Sequence, residues 1–148
     1  MNSSKRERII LADLAIVQSI QEIKTVQRTM PSYKDLSSFA TTQLPVVAVV
    51  GRFPVPENKF STRTGQVDQC ISKLKVDIYC YLIANTDSDS ELSNIMDEFW
   101  RILYLNPTRD NLVINTVLEP KENNEYWAPY IAFQITCIHK YQHDPGGI

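Results

Sequence analysis

Two histidines and three cysteines are the scarce chemistry-bearing residues of this chain, and their spacing limits what can be built from them. Cys137 and His139 stand two apart in an alternating segment. A strand would point both to one face, where Cys80 could join them across a sheet as a third zinc ligand. The same face carries Phe133 and Ile135. Thiols in an apolar layer usually serve packing, so no metal is expected there. Cys70 completes an odd set without a CxxC pair, which suits a reducing compartment better than a disulfide framework.

Asp110 with Glu119-Pro120-Lys121 is the nearest approach to a catalytic set. Metal-dependent nucleases of the restriction-endonuclease type use an Asp, a second acid and a Lys two positions on, the carboxylates holding Mg²⁺ and the Lys steadying the attacking water. The spacing is permissive, and Pro120 is expected to break the strand where the ligands should be rigid. No serine sits in a GxSxG elbow, and none of the four glycines, Gly51, Gly65, Gly146 and Gly147, belongs to a phosphate-cradling loop. The expectation is a non-enzyme with no catalytic, cofactor or metal residues.

The residues better suited to a surface role are aromatic and basic. Arg52, Phe53, Phe60 and Arg63 lie in a stretch, 52–69, that has two prolines and no periodicity. Loops of that length are uncommon in compact domains and usually functional or disordered. Tyr126, Trp127 and Tyr130 cluster beside Pro129 and fit either a core or an interface.

These residues must be positioned by a small set of elements. Residues 4–24 place Ile9, Ile10, Leu14, Val17 and Ile20 at helical spacing, with Ser3 or Ser4 as cap and Lys5, Arg6 and Arg8 crowding an end whose dipole disfavours them. A turn near Met30-Pro31 and a polar connector lead to 44–51, a β-branched run that reads as a buried strand with Pro45 at its start. Residues 74–82 alternate aliphatics with Lys75, Asp77, Tyr79 and Tyr81, so the strand has a second face for solvent or a partner. Ser88 and Glu91 match a capping box before a second amphipathic helix that stops at Asn106-Pro107. Strands over 112–118 and 126–141 follow, and 142–148 reads as a disordered tail.

That order predicts a single α+β domain over 1–148, with one mixed, mainly antiparallel sheet of four to five strands and two main helices packed on it. With 15 basic and 17 acidic residues the net charge is -2, unsuited to coating nucleic acid or anionic lipid. Asp13 and Gln18 interrupt the first apolar run, so neither a signal peptide nor a membrane span is expected.

The Pro-led strand, the long loop, "LKVDIYCYLIA", "DSDSELSNIMDEFWRIL" and the closing "WAPYIAFQITCIHKY" together resemble the tail terminator proteins of long-tailed bacteriophages, over roughly residues 5–141. The resemblance implies a structural virion protein. It would form a ring, typically a hexamer, that caps the tail tube, ends its polymerisation and offers a docking surface to head-completion or stopper proteins. DNA would pass through the lumen without sequence-specific binding, and no membrane would be involved. The protein would work at the head-proximal end of the tail and be assembled in the host cytoplasm. The 52–69 excursion matches by position the long loops that reach the tube or lumen in that family. A metal-dependent nuclease and another tail-tube or head-tail joining component are the alternatives.

Overall fold

A computed structural model describes residues 4–38, 45–56, 71–83, 88–121 and 130–142. The elements are α1 (Lys5–Gln18), β1 (Thr25–Gln27), α2 (Tyr33–Ser38), β2 (Val46–Gly51), β3 (Val55–Pro56), β4 (Ile71–Ile83), α3 (Ser88–Leu105), β5 (Asn115–Lys121) and β6 (Tyr130–Gln142). They form one mixed, mostly antiparallel six-stranded sheet in the order β1-β2-β4-β6-β5, with β3 on β4. The α+β architecture is therefore the one expected, extended by two very short strands. β1 runs parallel to β2 from the Thr25–Val46 pair, and the other described pairings are antiparallel.

The alternation of β4 sorts the two faces. Leu74, Val76, Ile78, Cys80 and Leu82 are buried. They stand opposite His139, Cys137, Ile135, Phe133 and Ile131 of β6. Both long helices pack on this face, where Ile9, Ile10 and Val17 of α1 and Ile95, Phe99 and Leu103 of α3 complete the core. Each such side chain contributes roughly 1.5–3 kcal/mol by leaving water. Phe99 meets Phe133 edge-on, with centroids 5.6 Å apart. At Gly51 the approach of α1 is so close that a Cβ would lie 2.3 Å from Ile10 Cδ1, which explains a glycine at the end of β2.

Several boundaries differ from the sequence expectation. α1 ends at Gln18, six residues short of the expected Lys24, because Ser19 turns back: its N–H donates to Ala15 and Ile16, and its hydroxyl donates to the Ile16 carbonyl. The freed chain enters β1, with the N–H groups of Lys24 and Thr25 both donating to the Pro45 carbonyl. The connector after Pro31 holds α2, whose entry is a reciprocal cap: Asp35 N–H donates to Ser32 Oγ, and Ser32 N–H donates to the Asp35 carboxylate. The fifth strand begins at Asn115, three residues later than expected, and Pro120 lies inside it rather than breaking it. β5 is the sheet's edge, where a missing ladder donor is tolerated. The last strand is described from Tyr130 to Gln142; the expected start near Tyr126 lies outside the described residues, as does Cys70, and of the expected 142–148 tail Gln142 belongs to β6 while the rest lies outside the described residues.

The crowded basic end of α1 is resolved by carbonyls. Ser4 accepts from the Glu7 N–H as the cap. Lys5 Nζ donates to the Gln142 carbonyl at 2.7 Å, and the Arg6 guanidinium donates to the carbonyls of Gly51 and Arg52. The positive charges that the dipole disfavours thus bind α1 to the end of the sheet.

Candidate functional site

Beneath the helices, an ionic cluster lies within the apolar core of the described residues. The Asp13 side chain, at 0% exposure, faces inward from the buried stripe of α1. Its Oδ1 accepts from Arg109 Nε at 2.8 Å and its Oδ2 meets His139 Nε2 at 2.5 Å. Thr116 donates its single hydroxyl proton to the Pro107 carbonyl at 2.7 Å, so the same oxygen accepts from His139 Nδ1 at 2.7 Å. That fixes the Nδ1 proton and leaves Nε2 and Oδ2 to share one between them.

Arg109 reaches this position through an unusual turn. Arg109, Asp110 and Asn111 have φ of 50°, 58° and 67°, three consecutive left-handed residues without a glycine. Asn and Asp adopt that region readily, whereas Arg does so at a cost of roughly 1–3 kcal/mol. The turn is held by Asn106, whose amide donates to the Asp110 carboxylate and accepts from the Asp110 N–H. Arg109 Nη1 then caps α3 by donating to the carbonyls of Leu103 and Asn106.

Asp13, Cys137 and His139 hold ligand atoms within 4.8 Å of one another. Cys137 and His139 do share a face as their spacing predicts, but Cys80 stands opposite Phe133, and Asp13 takes the third place. Both Asp13 oxygens and both His139 nitrogens are already in hydrogen bonds, and the Arg109 guanidinium is the resident cation. Burial pushes the Cys137 thiol well up, the Asp13 charge adds to this, and Arg109 opposes it. A neutral thiol beside a paired guanidinium reads as an internal ionic pin.

The nuclease constellation is divided between different places. Asp110 is committed to Asn106 in the α3–β5 turn. Glu119 and Lys121 lie on the sheet face away from α1 and α3, opposite Thr136 and Gln134.

That distal face holds the surface candidates. Near the start of β2, Val46, Ala48 and Tyr81 are buried. Burial raises the Tyr81 hydroxyl to about 12. Farther along, Asp77 collects Arg52 at 2.6 and 3.0 Å, Thr136 Oγ1 at 2.7 Å and Gln134 Nε2 at 3.0 Å. Burial pushes the Asp77 carboxyl up, but these donors outweigh it and hold the group below its ordinary value.

Arg52 is therefore both anchor and surface, its side chain 43% exposed while paired. Next to it Phe53 is 87% exposed and Val55 64%. Arg6 stacks on the Phe53 ring at 5.9 Å. Arg52, Phe53, Val55, Lys73 and Lys75 line a recess of about 360 Å³. β3 pairs Val55 with Lys73, so the first residues of the expected 52–69 loop belong to the sheet, a correction to that boundary.

Of the expected contact residues, Arg52 and Phe53 meet at this recess. Phe60, Arg63, Tyr126 and Trp127 lie outside the described residues, and Tyr130 is the first residue of β6, opposite Ile83. Sequence reasoning missed Asp13, Arg109, Lys73 and Val55. A signal existed for Asp13: a carboxylate on the apolar stripe with Ile9, Ile10 and Val17 requires a buried partner. No family model and no curated protein matches this chain.

Proposed function

We propose that this protein is a structural component of a long-tailed bacteriophage, a tail terminator. Its copies form a ring, taken as hexameric, that seats on the tail tube, ends polymerisation and gives head-completion or stopper proteins their docking surface, with DNA passing through the lumen. Its place is the head-proximal end of the virion tail, after assembly in the host cytoplasm.

The observation that carries this reading is the two-sided build of the domain. One sheet face is sealed by both long helices, while the end of the sheet beside β3 leaves Phe53 and Val55 exposed, next to Lys73 and Lys75. A subunit of a closed ring must offer two different surfaces to its neighbours. A pair of exposed apolar side chains set among basic ones suits docking better than solvent. The α+β domain with one sheet also agrees with the ring body that the sequence resemblance implies, and no described helix is long and apolar enough to cross a membrane.

The biochemical test is to add purified protein to tail tubes growing from their tube subunits. Elongation should stop at substoichiometric amounts relative to tube subunits, with the protein found at one tube end. Unchanged elongation with no end-bound protein would count against the reading.

A further inference from the structure

The buried cluster brings together one carboxylate, one imidazole and one thiol. Asp13, Cys137 and His139 each hold a ligand atom within 4.8 Å of the others, and all three are buried. Asp13 comes from α1, while Cys137 and His139 stand two apart on one face of β6. Oxygen, nitrogen and thiolate sulfur together suit zinc, whereas calcium and magnesium take oxygen.

The groups around these ligands are those a metal site uses. A ligating histidine donates its other ring N–H to a fixed acceptor, which sets the tautomer. His139 Nδ1 donates to Thr116 Oγ1, whose own proton goes to the Pro107 carbonyl. A ligating carboxylate is in turn hydrogen-bonded, and Asp13 Oδ1 accepts from Arg109 Nε at 2.8 Å. The two remaining atoms, His139 Nε2 and Asp13 Oδ2, face each other at 2.5 Å around one proton. Arg109 Nη2 is buried with no hydrogen-bond partner among the described residues. Its guanidinium acts on the Cys137 sulfur, a weak acceptor as a thiol and a strong one as a thiolate.

We infer that Asp13, Cys137 and His139 bind a zinc ion, which takes the place of the proton shared by Asp13 and His139. Binding releases that proton and the Cys137 thiol proton to solvent. Zn²⁺ thus replaces two protons, and the net charge of the buried cluster is unchanged. Arg109 keeps its bonds to Asp13 Oδ1 and to the Leu103 and Asn106 carbonyls, and gains a thiolate beside it. Cys80 takes no part, since it stands opposite Phe133. With every ligand buried, the ion enters as the chain folds.

The experiment is to unfold the full chain under reducing conditions, refold it with excess Zn²⁺ or Co²⁺, and desalt it. About one ion per chain should remain, with a raised melting temperature. Zinc X-ray absorption should show sulfur at about 2.3 Å with nitrogen and oxygen at about 2.0–2.2 Å, and Co²⁺ should give a thiolate charge-transfer band. Cys137→Ser should abolish that band, and Thr116→Val should weaken zinc binding by about 10–100-fold. Cys70→Ala with Cys80→Ala leaves Cys137 as the one thiol and should keep the band. If Cys137→Ser does not fold, this double variant decides, because loss of its band overturns the inference. So does a refolded parent chain that retains no metal, zinc bound without sulfur, or a folded Cys137→Ser that binds as tightly as the parent. None of these measurements involves tail tubes, so the zinc site and the ring reading fail separately.

Discussion

Asp13 on the first helix and His139 on the last strand lie 126 residues apart in the chain, yet their side chains meet at 2.5 Å. Together with Arg109 they lock α1, the end of α3 and β6 into one unit. The pair with Arg109 has both side chains at 0% exposure, so removing one partner leaves an uncompensated buried charge. Asp13→Ala is expected to cost about 3–5 kcal/mol, read as a lowered denaturation midpoint. Replacing Asp13, Arg109 and His139 together by apolar residues of similar volume should recover much of that loss, because ion pairs of this kind offer little net stability over good packing.

The contact between Ile10 and Gly51 predicts a paired effect. Gly51→Ala places a methyl 2.3 Å from Ile10 Cδ1 and should cost about 1–3 kcal/mol by overpacking. Ile10→Val removes that methyl, so the double variant should be less destabilised than the sum of the single ones. Additive losses in a denaturation cycle would contradict the close approach.

Asp77 predicts an acid limb in stability. Its folded pKa is depressed, so its contribution is present above the ordinary aspartate value of about 3.9 and is lost as pH falls through the lower folded value. Asp77→Asn should be destabilised relative to the parent at neutral pH, and the gap should close as the pH drops through this window. A gap independent of pH would show that the carboxylate charge does not matter there.

The excursion after β3 predicts a separation of stability from assembly. Shortening it within 57–66 leaves Arg52, Phe53 and β3 in place. Unfolding free energy should stay within about 1 kcal/mol, since closure entropy varies slowly with loop length, while the shortened protein should fail to join tails. A folded, shortened chain that still completes phage would show the excursion to be idle.

The long strands were legible because period-two alternation over 74–82 and 131–138 marks both faces of the sheet by residue type alone. The short strands were not, since Thr25–Gln27 and Val55–Pro56 are too brief to show a period and exist only because neighbouring strands offer open ladder positions. α2 had a local signal in Ser32 and Asp35, three apart after a proline, as a capping pair requires. Asp13 read along the sequence only interrupts an apolar run. Its meaning comes from Arg109, 96 residues away, and from a left-handed turn that propensity disfavours. The recess was half legible: Arg52 and Phe53 belong to the aperiodic segment, but Lys73 joins them only through the register of β3 on β4.

A tail terminator sets tail length, and electron microscopy of particles from cells infected with a phage whose copy of this gene is disabled reads that length. The reading predicts DNA-filled heads beside unjoined tails of overlong and irregular length. Tails of normal length joined to heads would contradict it.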